Sequence, residues 1–479
     1  MNKELKRVSI GVLLMFIALF CSGTFITAFQ ADQLEADNRN VRTLYKSFSA
    51  ERGPLLVDGA PIAHSVPVDD DFKFLRTYTN PELYAAVTGY FTLNQGNAGI
   101  EGAENEVLSG TADSQFLDHI NSILTGKSPK GAAIELTIDP VAQQAAWDAL
   151  GDHTGAVIAI NPKTGAIIAM VSKPSYDPNL LASHNTSSVI DAYNQLLEAP
   201  GDPLFNRTIS GDLYHPGSVF KPLVAAAALD SGQFTPETTV PNPPSLQLPL
   251  STSVIYNAGR SNCGGGAEVS LADAFRLSCN IPFAEIGTAL GEDLIAEYAD
   301  AFGYGQRVQV PMTASASNYP KGMNAPELML SSFGQSNVRV TPLQIAMTTA
   351  AIANGGVLMQ PTLIESVIAP DLTVIEPFQE EVFSEPISAQ TAATLAALMV
   401  NNVSNGAASS ARISGVEVGG KTGTAQNGEG NANTLWFTGF APASDPQIAI
   451  AVVVENEQGF GDSVASPIAR KVIEAVLNK

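Results

Sequence analysis

An unbroken run of 22 residues without a charge, Val8 to Phe29, constrains this chain before anything else does. A run of that length suits a helix crossing a bilayer, where every backbone N–H and C=O must find its partner within the segment. Lys3, Lys6 and Arg7 precede it, and Asp32, Glu35 and Asp37 follow. The asymmetry predicts a cytoplasmic tail over 1–7, a transmembrane helix over 8–29, and the rest of the chain outside the membrane. A cleaved signal peptide is the competing reading, but the run is long for one and no small-x-small site closes it. Cys21 follows Phe20, not a small residue, which argues against lipoprotein processing and for a plain apolar side chain.

Beyond that run the chain reads as globular. It has 479 residues, 45% hydrophobic and 15% charged, enough for more than one domain. With 25 basic against 47 acidic residues the net charge is −22, which excludes nucleic acid as a partner. The five His are scattered, no His-Glu-x-x-His occurs, and Cys21, Cys263 and Cys279 lack Cys-x-x-Cys spacing. No metal site and no cofactor is expected.

Residues 30–130 read as a small mixed α/β module. Ala31 to Tyr45 suits a helix or stalk leaving the bilayer. Pro54 to Val57 suits a strand, with Asp58-Gly59 as a hairpin turn, and Pro81 to Gly89 a helix. Gly96 to Glu101 reads as a loop, Arg52 is a possible partner for Glu101, and Gly126 to Gly131 looks like a boundary. Residues 131–479 form the larger domain. Strands are expected at Ala132–Ile138, Gly155–Ile160, Gly165–Val171, Leu435–Phe440 and Ile448–Glu455. Helices are expected at Pro140–Leu150, Leu271–Ser278, Glu292–Phe302, Pro342–Asn354 and Pro467–Leu477. Hairpins at both ends of a helical middle predict an α+β fold with one sheet covered by helices and assembled from distant parts of the chain.

Chemistry enters at Tyr214-His215-Pro216-Gly217-Ser218-Val219-Phe220-Lys221. Pro and Gly mark a turn, and the Ala-rich run after Pro222 predicts a buried helix. Ser218 then stands at a helix N-terminus with Lys221 one turn later on the same face. A serine hydroxyl needs a base, and lysine serves as one when burial or nearby positive charge lowers its pKa. Pro222 lacks an N–H, so the Ser218 carbonyl is expected to lose its helical partner. A capping serine beside a solvated lysine is the bland alternative. Two further motifs follow: Ser278-Cys279-Asn280, 60 residues on, and Lys421-Thr422-Gly423-Thr424, 203 residues on. Lys163-Thr164-Gly165 repeats the letters of the last, but it follows Asn161-Pro162 and precedes Ser218, so it reads as a hairpin turn.

Three such motifs in this order resemble the penicillin-binding transpeptidase family. Asn206-Arg207, Val340 to Gln344, Ala353-Asn354-Gly355 and Gly420 to Ala425 resemble its landmarks as well. Arg52-Gly53 and Gly96-x-x-Gly99-x-Glu101 resemble the N-terminal module of class B, without the second arginine that often follows the first. The likeness is strongest to the actinobacterial penicillin-binding protein A group. It implies a penicillin-binding/β-lactamase-like fold, an antiparallel sheet covered by helices plus an all-helical subdomain, with a pedestal- or dimerisation-like module in front.

The resemblance implies acyl transfer from a D-Ala-D-Ala donor through a Ser218 acyl-enzyme to an amine acceptor, with β-lactams acylating the same serine. Lys221 is the implied base, Ser278 a proton relay, and Lys421 a cation that keeps Lys221 neutral. Asn280 would hold the donor amide, and Thr422, Gly423 and Thr424 the terminal carboxylate. The N–H groups of Ser218 and Thr424 would form the oxyanion hole. Cys263 and Cys279 either bridge or remain two buried thiols. A polytopic membrane glycan polymerase is the implied partner, while the acceptor amine and a septal or lateral wall role stay open. A class A β-lactamase would need Glu-x-x-Leu-Asn between the last two motifs. The string occurs only at Glu474–Asn478, beyond them. A non-catalytic β-lactam sensor would keep Ser218 but need an intracellular output domain, where only Met1 to Arg7 are expected inside, and a D,D-carboxypeptidase would share all three motifs.

Overall fold

The computed structural model describes residues 2–26, 50–112, 115, 130–211, 213–428 and 432–478. Helix α1 (Asn2–Phe25) contains Val8 to Phe25 of the charge-free run, and its Leu5–Phe25 portion is long and apolar enough to cross a membrane, with a mean hydropathy of 2.2. The stalk expected over Ala31–Tyr45 and most of the Gly126–Gly131 boundary lie outside the described residues.

The first sheet begins with β1 (Leu55–Val57) and β2 (Ala60–Pro67). Asp58 and Gly59 between them have φ of 51° and 70°, the left-handed pair that lets a two-residue turn follow the twist of its strands. The sheet continues with β3 (Phe74–Tyr78) and β4 (Ala133–Leu136). Strands Ile364–Ile368 and Val374–Pro377 return from the larger domain and complete six. β4 lies parallel to β1 on one side and antiparallel to Ile364–Ile368 on the other. Hydrogen bonding is therefore continuous across the division expected at 130/131.

The segment Gly96 to Glu101, expected as a loop, instead starts a helical turn, Gly99–Ala103. Glu101 is drawn inward by two guanidiniums, Arg52 Nε at 2.5 Å and Arg76 Nε at 2.6 Å, and none of the three is on the surface. Burial alone would raise the Glu101 pKa, yet the two cations outweigh it and hold the carboxyl below its ordinary value. Arg76 thus supplies the second guanidinium that the Arg52-Gly53 motif lacks.

The larger domain is built on one antiparallel sheet. After α2 (Pro140–Leu150) come β5 (Gly155–Ile160) and β6 (Ile167–Lys173), then α3 (Lys221–Asp230), α4 (Ile281–Leu290), α5 (Pro342–Ala353) and α6 (Ala389–Asn405). The chain closes with β7 (Gly419–Ala425), β8 (Asn433–Ala441), β9 (Ile448–Glu457) and α7 (Gly461–Leu477). Strand order is β7-β8-β9-β5-β6. Alternate residues serve two cores: Val157, Phe437 and Val452 pack with α2 and α7, while Ile158, Trp436 and Val453 join the larger cluster with α3 and α5. A strand buried on both faces reads as continuously apolar, as β5 does. Helix α7 begins at Gly461, six residues before the Pro467 at which the sequence suggested a start, and Pro467 sits inside it. β7 is an edge strand, and this leaves its outer side available for the site.

Candidate active site

Ser218 lies in a 3-10 turn, Gly217–Phe220, directly before α3. This refines the expected helix N-terminus: α3 starts only at Lys221, whose N–H bonds the Ser218 carbonyl and replaces the partner Pro222 cannot supply. Two contacts hold the turn from outside. Gly217 N–H donates to the Gly334 carbonyl at 2.9 Å, and Trp436 Nε1 donates to the His215 carbonyl at 3.1 Å.

Lys221 is fully buried. Its Nζ donates to the Ser278 carbonyl at 2.8 Å and to Asn280 Oδ1 at 2.9 Å. A neutral amine has two N–H donors and one lone pair. With both donors placed, the lone pair of the neutral amine is the valence left over. Burial, reinforced by the positive charge of Lys421, holds the Lys221 pKa well below the ordinary lysine value. Lys421, also without exposed surface, donates from Nζ to Ser278 Oγ at 2.7 Å and to the Thr422 carbonyl at 3.0 Å, and burial brings it down to about 7. Ser278 therefore joins the two amines, carbonyl to one and hydroxyl to the other. It has φ of 61°, a conformation costly for a serine and worth keeping only where the surroundings demand it.

Above these lysines lies a cleft of about 830 Å³ lined by Ser218, Ser278, Asn280, Thr422, Gly423 and Thr424. All the expected polar side chains converge on it, with the lysines beneath. Two expectations change in detail. Asn280 spends Oδ1 on Lys221 and one Nδ2 hydrogen on the Tyr256 carbonyl at 3.0 Å, so only its remaining N–H can face a substrate amide. Thr422 donates its hydroxyl to the Ala407 carbonyl at 3.2 Å, whereas Thr424 Oγ1 accepts from Gly461 N–H at 3.2 Å and keeps its own hydrogen for a carboxylate.

Cys263 and Cys279 are disulfide-bonded, Cα to Cα 5.9 Å, so the alternative of two thiols falls. The bridge ties the loop before it to the Ser278 motif, and Asn257 Oδ1 reinforces the tie by accepting from Asn280 N–H and Ile281 N–H at 2.9 and 3.0 Å. The repeated letters at Lys163–Gly165 form the turn between β5 and β6, with Lys163 paired to Asp445, away from the cleft. Sequence reasoning passed over the walls at Val254–Arg260, at Phe333, Gln335 and Ser336, and at Phe460–Asp462. They carry no motif spacing, and only their tertiary placement marks them.

Residues 155–474 match the penicillin binding protein transpeptidase domain family, and residues 52–134 match the penicillin binding protein A dimerisation domain. Peptidoglycan D,D-transpeptidase PbpA of Mycolicibacterium smegmatis is 41% identical over 492 aligned positions, with all of both chains covered. The protein of the same name from Mycobacterium tuberculosis H37Rv is 40% identical over 490, covering all of this chain and 99% of its own. Among solved structures, a ceftriaxone acyl-enzyme complex of penicillin-binding protein A from M. tuberculosis superposes with a TM-score of 0.87 at 39% identity, covering 90% of this chain and all of that one.

Proposed function

The chain belongs to the penicillin-binding transpeptidase family, in its class B branch, and we propose that Ser218 is the nucleophile through which it acts. It is a peptidoglycan D,D-transpeptidase, a serine-type acyltransferase that cross-links stem peptides. The observation that carries the assignment of residues is Ser278, held by Lys221 on its carbonyl and by Lys421 on its hydroxyl, on the floor of the cleft that Ser218 lines.

In the first step Ser218 Oγ attacks the carbonyl of the penultimate D-Ala, and Lys221 takes the hydroxyl proton. The N–H groups of Ser218 and Thr424 receive the oxyanion, a contribution on the order of 3 kcal/mol per donor in comparable sites. Ser278 Oγ passes its proton to the departing amine and takes one in its place from the Lys421 ammonium that donates to it. Terminal D-Ala leaves with its carboxylate, which the Thr424 hydroxyl and the nearby Lys421 charge had oriented. In the second step an amine from a neighbouring stem peptide attacks the ester, its proton passing through Ser278 Oγ back to Lys421 while Lys221 returns its own proton to the leaving Ser218 oxygen. Asn280 acts on both Lys221 and the donor amide. A β-lactam presents a strained amide to the same oxygen and acylates Ser218.

The domain plan follows: a tail over 1–7, an anchor over 8–29, the module over 30–130 and the transpeptidase domain over 131–479. Lys3, Lys6 and Arg7 support a cytoplasmic N-terminus with the catalytic domain on the outer side. A polytopic glycan polymerase meeting the anchor and the module is the partner this plan fits. In the decisive test, Ser218→Ala loses all labelling by a fluorescent penicillin while its melting curve is unchanged. Peptide mass spectrometry of the wild type should place the adduct on Ser218. Labelling that survives the substitution would sink the assignment.

A further inference from the structure

Arg260 is the feature of the cleft that the mechanism leaves unused. It is exposed, lines the same cleft as Ser218, and lies with its guanidinium 4.8 Å from the centre of the Tyr256 ring. Among the described residues lining that cleft, only Arg260 and Asp462 carry formal charge. Asp462 is already occupied, its two oxygens accepting from Ser410 N–H and Ser410 Oγ, both at 2.9 Å. No described carboxylate pairs with Arg260. A free cation is thus held inside a substrate cleft of a chain whose net charge is −22.

Its position is fixed relative to the chemistry. Arg260 N–H closes a turn on the Asn257 carbonyl at 3.0 Å, and Asn257 is the residue whose side chain caps Asn280 and Ile281. Asn257 Nδ2 is in turn bonded to Asn242 Oδ1 at 3.2 Å, and Asn242 Nδ2 to the Cys263 carbonyl at 2.7 Å. Arg260 itself has φ of 53°, a left-handed conformation that glycine or asparagine adopts at lower cost. The wall that bears it therefore moves with Ser278 and Asn280, and the Tyr256 face orients the guanidinium.

We propose that Arg260 determines specificity by receiving a stem-peptide carboxylate other than the C-terminal one. A planar guanidinium with free donors matches a carboxylate through two parallel N–H···O bonds, and a cation on the cleft wall draws such a group in. The proposal rests on the transpeptidase reading. The carboxylate comes from one of two sources, the side chain of the donor's third residue or its counterpart on the acceptor.

Full-length protein in detergent separates them. Donor pentapeptides ending in D-Ala-D-Ala, with the third side chain as free acid or as carboxamide, are paired with acceptors in the same two forms. Active sites are counted by penicillin labelling. Wild type is expected to favour the acid in one arm by about tenfold in kcat/KM, the scale of one charge-assisted hydrogen bond. The preference should reside in KM. Arg260→Gln brings that ratio to one, and Arg260→Lys, which keeps the charge, retains part of it. A ratio lowered by Arg260→Gln in the donor arm or in the acceptor arm supports the proposal and identifies the source. A ratio in Arg260→Gln equal to that of wild type in both arms overturns it. Failure of Ser218 labelling in the wild type would instead strike the mechanism, a different result.

Discussion

Lys221 can serve as a base only while its amine is neutral, and its surroundings are chosen accordingly: two neutral acceptors, no carboxylate, and a second lysine nearby. A depressed pKa makes the amine competent at a pH where an ordinary lysine is charged, so acylation rises with pH through that depressed value and then levels. Asn280→Asp places a carboxylate where the amide oxygen now accepts, which favours the ammonium form and moves the rising limb to higher pH. On the rising limb acylation should fall about tenfold for every pH unit by which the Lys221 pKa climbs, because the neutral fraction of the amine falls in that proportion. The rate should recover as pH is raised. Asn280→Ala removes the acceptor without adding charge and should leave the limb where it was or lower. Stopped-flow rates for a chromogenic β-lactam across pH check both, and an unmoved limb in Asn280→Asp would remove Lys221 as the base.

At the level of elements, the reactive turn depends on how closely Gly334 approaches it. A Cβ at Gly334 would stand 2.0 Å from the Gly217 carbonyl oxygen, and its φ of 79° disfavours a side chain as well. Gly334→Ala must push the Ser218 turn outward. Displacements near an ångström commonly cost about 100-fold in rate, whereas the backbone strain itself is about 1–3 kcal/mol. We expect acylation to drop about 100-fold with a modest fall in melting temperature, read from β-lactam kinetics and thermal unfolding of one sample. Equal acylation rates would mean the turn tolerates the displacement. This contact also shows where sequence stops being informative. Ser218, Lys221, Ser278 and Lys421 were legible because order and spacing carried them, and Lys163 was separable because Pro and Asn signal a turn. The pairing of Gly334 with Gly217 joins positions far apart in the chain, and no local pattern encodes it. The same holds for Arg260. The start of α7 was misplaced for a different reason: a proline suits the first turn of a helix, so Pro467 looked like a beginning when Gly461 was one.

For the whole molecule, the question is whether the N-terminal module is a separate folding unit. Its sheet says otherwise, since β4 and the strands at 364–377 belong by sequence to the larger domain yet pair with β1 and with each other. Arg76, on β3 of that sheet, shares the buried Glu101 with Arg52, with Arg52 Nη2 also donating to the Glu101 carbonyl at 2.6 Å and Arg76 Nη1 to the Gly53 carbonyl at 2.8 Å. Arg52 and Glu101 could be paired from the sequence, but nothing there added Arg76, because an arginine in a short strand normally faces water. Glu101→Gln keeps the shape and removes the charge, leaving two buried guanidiniums without a counter-ion, a loss of about 3–5 kcal/mol. Acid acts in the same direction: the Glu101 pKa is held below its ordinary value, so its contribution is intact above that value and drains as pH falls through the lower one. If the shared sheet couples the two parts, calorimetry of Glu101→Gln should show the main transition itself displaced downward, with penicillin labelling lost along the same curve. A new low-temperature transition that spares labelling would mean the module unfolds alone, and the strands at 364–377 would then be a graft onto an independent domain, not a bond between two halves of one fold.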